Sequence, residues 1–349
     1  MTGKTLTTRQ IKCVIWDLDD TIWEGILLES GGNHLRDGVR EVIIELDRRG
    51  ILQSIASRND FNHAMARLES FGIAEYFLCP QINFGNKSSS VATIAEELNI
   101  GIDSLAFVDD QQFEHDEVNS IHKGVCCIDA AEIQSIPDMS SMKPRFVTED
   151  SAKRRLMYIE DRKRTTIEER FEGPKEEFLA GLKMRFTIQI ATEDDLKRAV
   201  ELTERTNQLN ATGRTYNYDE LNELRTSPAH LLYICSLEDC YGSYGRIGLA
   251  LVEKGDTVWT IRLLLMSCRV MSRGVGSILL NYIIRKAINN GKTLQADFVD
   301  TGRNRMMYVT YRFVGMKEIE TDGSYSLLEF EEGGLSPGYP DYVEVTCDD

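Results

Sequence analysis

The run Cys13-Val14-Ile15-Trp16 passes without a break into Asp17-Leu18-Asp19-Asp20, and this junction restricts the fold more than any other stretch of the chain. Consecutive apolar residues of β-branched and aromatic type suit a strand covered on both faces, the condition of a parallel sheet. The carboxylates of Asp17, Asp19 and Asp20 that follow repel one another and raise one another's pKa unless something positive neutralises them. A divalent cation is the economical neutraliser. In open α/β sheets ligands collect beyond the carboxyl ends of the strands, so Asp17 and Asp19 fall where chemistry is usually done. An acidic loop on an acidic protein would satisfy so short a motif equally well, and the rest of the chain has to decide.

The next hundred residues supply the decision. "REVIIELDRRG" is amphipathic and stops at Gly50; "ILQSIAS" reads as a strand; "FNHAMARLESFG" is a second helix closed by glycine. "AEYFLCPQINF" contains a strand, "SSSVATIAEELNI" a third helix, and "SLAFVDD" a strand that again ends in paired carboxylates. Strands alternating with helices predict a doubly wound parallel sheet with right-handed crossovers. Asp17, Ser57 and Asp109 then share one end of the sheet, and Lys87 stands just before the third helix. Only about 20 residues lie between the first strand and its helix, too few for a large cap domain, so a bulky partner could approach the site.

Composition excludes several classes. A chain of 349 residues with 28% charged and 42% hydrophobic residues has the profile of a globular protein of two ordinary domains. No apolar run reaches the roughly 20 residues needed to span a bilayer, and "MTGKTLTTRQ" does not lead into a signal-peptide core, so no membrane role and a cytoplasmic location are expected. A net charge of −16 argues against a nucleic-acid surface. The eight cysteines are scattered and read as free thiols rather than as a zinc site or a disulfide framework.

The ordered set Asp17-Leu18-Asp19-Asp20-Thr21, Ser57, Lys87 and Asp109-Asp110 resembles the four motifs of the haloacid dehalogenase phosphatase superfamily over residues 10 to 130. The resemblance implies Asp17 as the nucleophile on phosphorus, Asp19 as the acid and then the base, and Ser57 and Lys87 as holders of the phosphoryl oxygens. It also implies Mg²⁺ held by Asp17, Asp109 and the backbone carbonyl of Asp19, with Asp110 close by. Phosphoryl transfer needs these parts: a nucleophile, charge neutralisation and a proton for the leaving oxygen.

From residue 131 the character changes. Residues 1–135 are expected to be the phosphatase-like domain, 136–183 a helical connector, 184–335 a second mixed α/β domain, and 336–349 an acidic tail. "SAKRRLMYIEDRKR" is the strongest basic concentration, either a solvated helix face or a docking surface. In the second domain "GRIGLALVEKGDTVWTIRLLLMSC" gives strands and "RGVGSILLNYIIRKAINNG" a helix. A strand feeding a glycine loop and helix offers N–H groups to a phosphate. The order resembles the GNAT acyltransferase fold, with Arg273-Gly274-Val275-Gly276 in the place of that family's pyrophosphate loop and Arg269 nearby. Met271 stands where the family usually carries Gln or Arg, a departure from ordinary acetyl-coenzyme A use.

Taken together, "KCVIWDLDDTIWEG", "SIASRND", "FVDDQQFEHDEV", "ERTNQLNATGR" and "MSCRVMSRGVG" are similar to the FkbH-like bifunctional glyceryl transferase/phosphatases of polyketide biosynthesis. That likeness implies transfer of a glyceryl unit from 1,3-bisphosphoglycerate to the phosphopantetheine thiol of an acyl carrier protein, with loss of the second phosphate. A covalent route needs a thiol. Cys268, at the end of "IRLLLMS" where a GNAT-like sheet opens to admit a pantetheine arm, is the favoured one; Cys79 is a weaker candidate, and Cys13, Cys126, Cys127 and Cys235 read as core. Two other readings stay open: a phosphatase fused to a coenzyme A-dependent N-acyltransferase acting on a small amine or sugar, and a carrier-binding scaffold with a degenerate acyltransferase loop.

Overall fold

A computed structural model describes residues 10–27, 29, 34–331 and 338–348. The chain separates into two compact units, residues 1–159 and 160–349.

In the first unit strands and helices alternate: β1 (Cys13–Trp16), α1 (Val39–Arg48), β2 (Leu52–Ser57), α2 (Phe61–Ser70), β3 (Gln81–Ile82), α3 (Lys87–Glu97), β4 (Leu105–Asp109), α4 (Gln112–Ile121) and β5 (Cys126–Asp129). The strands form a parallel sheet in the order β3-β2-β1-β4-β5, the expected doubly wound arrangement. All four residues of β1 are buried. Alternate side chains enter two separate cores: Val14, Trp16, Ile55, Ala106 and Val108 on one face, Cys13, Ile15, Leu52, Leu105 and Phe107 on the other. That division is why the sequence of β1 is apolar throughout instead of alternating. Because β2 and β3 lie on one side of β1 and β4 and β5 on the other, the chain reverses direction at β1, and its carboxyl end opens onto the crevice where such sheets bind ligands. The segment proposed as too short for a cap falls partly on residues 28 and 30–33, outside the described residues, as does most of the "MTGKTLTTRQ" segment.

The two units divide within α6 (Arg154–Arg170), which follows the short α5 (Glu149–Ala152). The expected separate connector is not what forms. Ile136 and Met142 belong to a core of the first unit, whereas Phe178, Leu179 and Leu182, in and just after α7 (Lys175–Gly181), belong to the core of the second. Three arginines of the basic stretch pair internally: Arg154 donates to the Gly50 carbonyl at 2.8 Å and Arg155 meets Asp47 at 3.0 Å in the first unit, and Arg164 meets Asp239 at 2.7 Å in the second, while Lys153, Arg162 and Lys163 are exposed.

The second unit holds β6 (Met184–Ile190), α8 (Leu196–Arg205), α9 (Tyr218–Thr226), β7 (His230–Asp239), β8 (Gly242–Lys254), β9 (Val258–Met266), α10 (Val275–Asn289), β10 (Thr293–Val299), α11 (Arg305–Phe313), β11 (Met316–Asp322), β12 (Tyr325–Phe330) and β13 (Val343–Asp348). They build a mixed sheet in the order β11-β12-β10-β9-β8-β7-β6-β13. Thus part of the stretch read as an acidic tail is an edge strand, paired parallel to β6 from Val343 opposite Met184 to Asp348 opposite Gln189. Val343 and Val345 face the core between exposed polar neighbours, a period-2 pattern hidden by the density of charge. Residues 336, 337 and 349 of that stretch are outside the described residues. No helix among the described residues is long and apolar enough to cross a membrane.

Candidate active site

The first site is assembled by register. Trp16 pairs with Ile55 on β2 and with Val108 on β4, so Asp17 and Asp109 leave neighbouring strands at one level, with Ser57 a residue further along β2. Asp17 continues the ladder through its N–H to the Val108 carbonyl at 2.9 Å. Lys87, the first residue of α3, reaches into the same crevice: Nζ lies 3.0 Å from Asp17 Oδ1 and 2.6 Å from Asp109 Oδ2. Asp17, Ser57, Lys87 and Asp109 are all buried. The second Asp109 oxygen accepts the Gln111 N–H at 2.9 Å, which fixes the turn into α4.

Burial pushes the Asp17 carboxyl up, to about 7, with Asp109 adding to the rise and Lys87 pulling against it. Burial followed by the Asp109 charge raises Asp110 too. Burial works against the Lys87 charge, but the Asp17 and Asp109 carboxylates outweigh it and hold the ammonium above the usual lysine range. Three carboxylates against one ammonium leave an excess of negative charge.

The carboxylate oxygens of Asp17, Asp109 and Asp110 approach within 4.8 Å of one another. Asp110 Oδ1 is buried and has no hydrogen-bond partner among the described residues. A small set of hard oxygen donors, one of them an acceptor in want of a partner, suits Mg²⁺, which takes few protein ligands and keeps several waters. Asp19 differs. Its carboxylate turns to Trp23 Nε1 at 2.7 Å, the Leu27 N–H at 3.0 Å and Asn59 Nδ2 at 2.9 Å, which leaves its main-chain carbonyl as the group it could offer to an ion.

Trp23, Asn59 and Arg58 are contributors that sequence reasoning did not single out. Arg58 pairs with Glu114 at 3.0 Å and donates to the Gly85 carbonyl at 3.2 Å, tying the loops after β2 and β3 to the first turn of α4 around the mouth. Their signals were membership of the stretches "KCVIWDLDDTIWEG" and "SIASRND" and, for Arg58 and Asn59, adjacency to Ser57. Phe84 and Phe113, beside the two groups that Arg58 grips, are 74% and 68% exposed.

In the second unit Cys268 opens a 3₁₀ segment, Cys268–Arg273, and is half-buried. Gly274 follows at φ +76°, where a Cβ would come within 3.0 Å of the Tyr342 hydroxyl, so the turn into α10 requires glycine. No side chain caps α10, and Gly276 lies in its first turn. The arginines expected to hold a cofactor are turned to the protein. Arg273 is 2% exposed, pairs with Glu168 at 2.8 Å and lies over the Phe178 ring; Arg269 Nη2 donates to the Tyr244 carbonyl at 3.0 Å. A guanidinium is buried only with a partner, and the charge of Glu168, invisible to local pattern, supplies it.

The sheet opening beside Cys268 is also different from expectation. β9 and β10 pair only from Val258 opposite Thr293 to Ile261 opposite Ala296 and then part. Leu209–Ala211 fills the gap as a piece of strand: the Ala211 N–H donates to Leu264 O at 2.9 Å, the Met266 N–H to Leu209 O at 2.9 Å, and the Val299 N–H to Ala211 O at 3.0 Å. Asn304, fully buried, clamps it by donating from Nδ2 to the carbonyls of Asn210 at 2.8 Å and Val299 at 2.9 Å. The Leu264 carbonyl and the Met266 N–H of β9, at the opening expected to admit a pantetheine arm, are therefore taken by Leu209–Ala211.

All eight cysteines are free thiols. Burial holds the Cys13 and Cys235 thiols well above their ordinary range and pushes Cys127 up to about 11. Cys126 and Cys127, read as core, are only partly buried, while Cys79 is buried with a left-handed backbone, φ +50°.

No known family profile matches the chain, and no curated protein matches it. Among solved structures it is similar to the N-terminal part of the protein BF1531 from Bacteroides fragilis, containing a phosphatase domain complexed with Mg, at 28% identity over 43% of this chain and 39% of that chain, TM-score 0.32. It is also similar to the ribosomal-protein-S18-alanine N-acetyltransferase from Escherichia coli, at 15% identity over 44% of this chain and 99% of that one, TM-score 0.33. The PaiA N-acetyltransferase from Thermoplasma acidophilum in complex with coenzyme A matches at 14% identity over 42% and 98%, TM-score 0.35. The chain spans about two fifths of the length of the BF1531 fragment. At these TM-scores the functional reading rests on the sites' own residues.

Proposed function

We propose that this chain is a two-centred enzyme: a Mg²⁺-dependent phosphatase in the first unit and an acyl transferase in the second. Together they move a glyceryl unit from 1,3-bisphosphoglycerate to the phosphopantetheine thiol of an acyl carrier protein in the cytoplasm, with loss of the remaining phosphate, for polyketide-type biosynthesis. The observation that carries the phosphatase half is the buried set Asp17, Lys87 and Asp109, with the more exposed Asp110 beside it, at the point where the strand order of the parallel sheet reverses. Asp17, Asp109 and Asp110 would hold Mg²⁺, whose charge would offset that of the phosphoryl oxygens.

The chain's own groups divide the work. Lys87 and Ser57 hold the phosphoryl group against Asp17. The Asp17 carboxylate forms a bond to phosphorus as the ester oxygen departs with a proton from Asp19. Water, deprotonated by Asp19, then cleaves the aspartyl phosphate and restores both residues. In the second unit the Cys268 thiolate adds to the acyl-phosphate carbonyl and expels phosphate. The resulting thioester exchanges with the pantetheine thiol, a step that conserves the thioester bond. Because Leu209–Ala211 occupies the sheet opening, the arm reaches Cys268 from its exposed side. The exposed Phe84 and Phe113 beside the phosphatase mouth support a protein-borne substrate there.

Intact-mass analysis of a carrier protein incubated with the enzyme, 1,3-bisphosphoglycerate and Mg²⁺ tests the reading. Wild type should add a glyceryl unit, and Asp17→Asn should stop at the phosphoglyceryl adduct. An unmodified carrier, or free acylated amine from a coenzyme A thioester instead, overturns glyceryl transfer.

A further inference from the structure

The Asp19 carboxylate is gripped from three directions by N–H donors. Trp23 and Leu27 share Oδ1 at 2.7 and 3.0 Å, and Asn59 takes Oδ2 at 2.9 Å. Trp23 is fully buried in the core that also holds Trp16 and Leu18, so that contact is part of the packing. Asn59 has another character. It lies between Ser57, the end of β2, and Asp60, the cap of α2, and it is 2% exposed although it belongs to a loop. An amide is buried only when its hydrogen bonds are made, and the bond made here spans forty residues to a half-buried aspartate at the site.

We propose that Asn59 is a positioning residue for Asp19: its amide selects the rotamer in which the carboxyl oxygen faces the leaving oxygen of a phosphate ester. This rests on the phosphatase reading above. Without Asn59, Oδ1 would keep its two donors but Oδ2 would lose its own, and the carboxylate plane would be free to tilt about the contacts that remain. A proton donor must stand about 2.6–3.2 Å from the oxygen it serves, and a misplacement of about 1 Å can cost on the order of 10²-fold in rate. The loss must depend on the leaving group. An alkoxide cannot depart without a proton, whereas a nitrophenolate departs as the anion. Asn59 therefore matters more for alkyl phosphates than for aryl ones, which a general weakening of the site would not produce.

The experiment compares kcat/KM of wild type and Asn59→Leu, near-isosteric and without donors, on glycerol 3-phosphate and on p-nitrophenyl phosphate with saturating Mg²⁺. The alkyl ester should lose about tenfold or more beyond the loss on the aryl ester. Asn59→Ala, measured in the same way, should repeat that ratio if the leucine variant does not fold. Equal losses on both esters in a folded variant, or no loss on either, overturn the positioning role while leaving the phosphatase reading in place. A wild type that hydrolyses neither ester refutes the phosphatase reading and this role with it.

Discussion

Lys87→Ala removes the ammonium that faces both Asp17 and Asp109, and the consequence can be worked from the geometry. The lysine lies 3.0 Å from one carboxylate and 2.6 Å from the other, and all three side chains are almost fully buried. Deleting one partner of a buried ion pair leaves an uncompensated charge and costs about 3–5 kcal/mol. Because one ammonium serves two carboxylates here, the variant falls toward the upper end. For a protein of this size each kcal/mol moves the midpoint by about 2–4 °C, so melting of the first unit in chelator should fall by on the order of 10 °C. Mg²⁺ should recover much of it. Without a competing ammonium the three carboxylates attract the ion more strongly, and a ligand at a hundred times its Kd adds about 2.7 kcal/mol. The assay is thermal melting of wild type and variant in chelator and across a Mg²⁺ titration. If the variant melts with wild type in chelator, or if Mg²⁺ shifts both by the same amount, the lysine is not the counter-charge of this site.

Three further outcomes are expected. In chelator, the folded Asp17 titrates at about 7 against an ordinary 3.8, so the folded state keeps a proton that the unfolded state has lost, and its contribution to stability falls as pH rises through that window. The difference between wild type and Asp17→Asn should show this slope and lose it in excess Mg²⁺; a difference that is flat with pH in chelator contradicts it. Cys268→Ala should abolish a hydroxylamine-labile glyceryl adduct on the enzyme while p-nitrophenyl phosphate hydrolysis continues, and an adduct mapped by mass spectrometry to Cys79 rejects Cys268 as the acyl carrier. Asn304→Leu should cost about 2–4 kcal/mol, because it strands buried carbonyls that a leucine cannot satisfy, and should hasten hydrogen exchange at the Val299 amide; unchanged exchange there means the clamp is not what holds Leu209–Ala211.

The parallel sheet was legible because its cause is local. A strand buried on two faces is apolar along its length, and Cys13–Trp16 and the first four residues of Leu105–Asp109 show that before any partner is known. The acidic ends of the same strands are equally local, so Asp17 and Asp109 could be placed together from sequence, and Lys87 followed from its position at a helix start. Asn59 and Trp23 could not be ranked, since what distinguishes them is a bond to Asp19 formed only after the crossovers have folded. The second unit shows the same limit more sharply. Strand β9 reads as an ordinary apolar run, and nothing in it says that its far half pairs with Leu209–Ala211 instead of β10. Arg273 likewise reads as a phosphate-loop cation until Glu168, more than a hundred residues away, is seen beside it.

The contrast bears on where function can be trusted. Sequence periodicity reports the demand of a segment for burial, and a carboxylate left at the end of a buried strand is a demand that burial cannot meet. Such groups need a ligand, and the unpartnered Asp110 Oδ1 shows one still wanting. In the second unit Arg273 is paired with Glu168, Arg269 donates to the Tyr244 carbonyl and the sheet gap is filled, although Arg273 Nε and Asn281 Oδ1 are buried without a hydrogen-bond partner among the described residues. The half-exposed Cys268 is left as the group through which transfer chemistry would have to pass, so loss of its thiol should silence loading without loosening the fold, whereas loss of Asn304 should loosen the fold around a thiol that is still present.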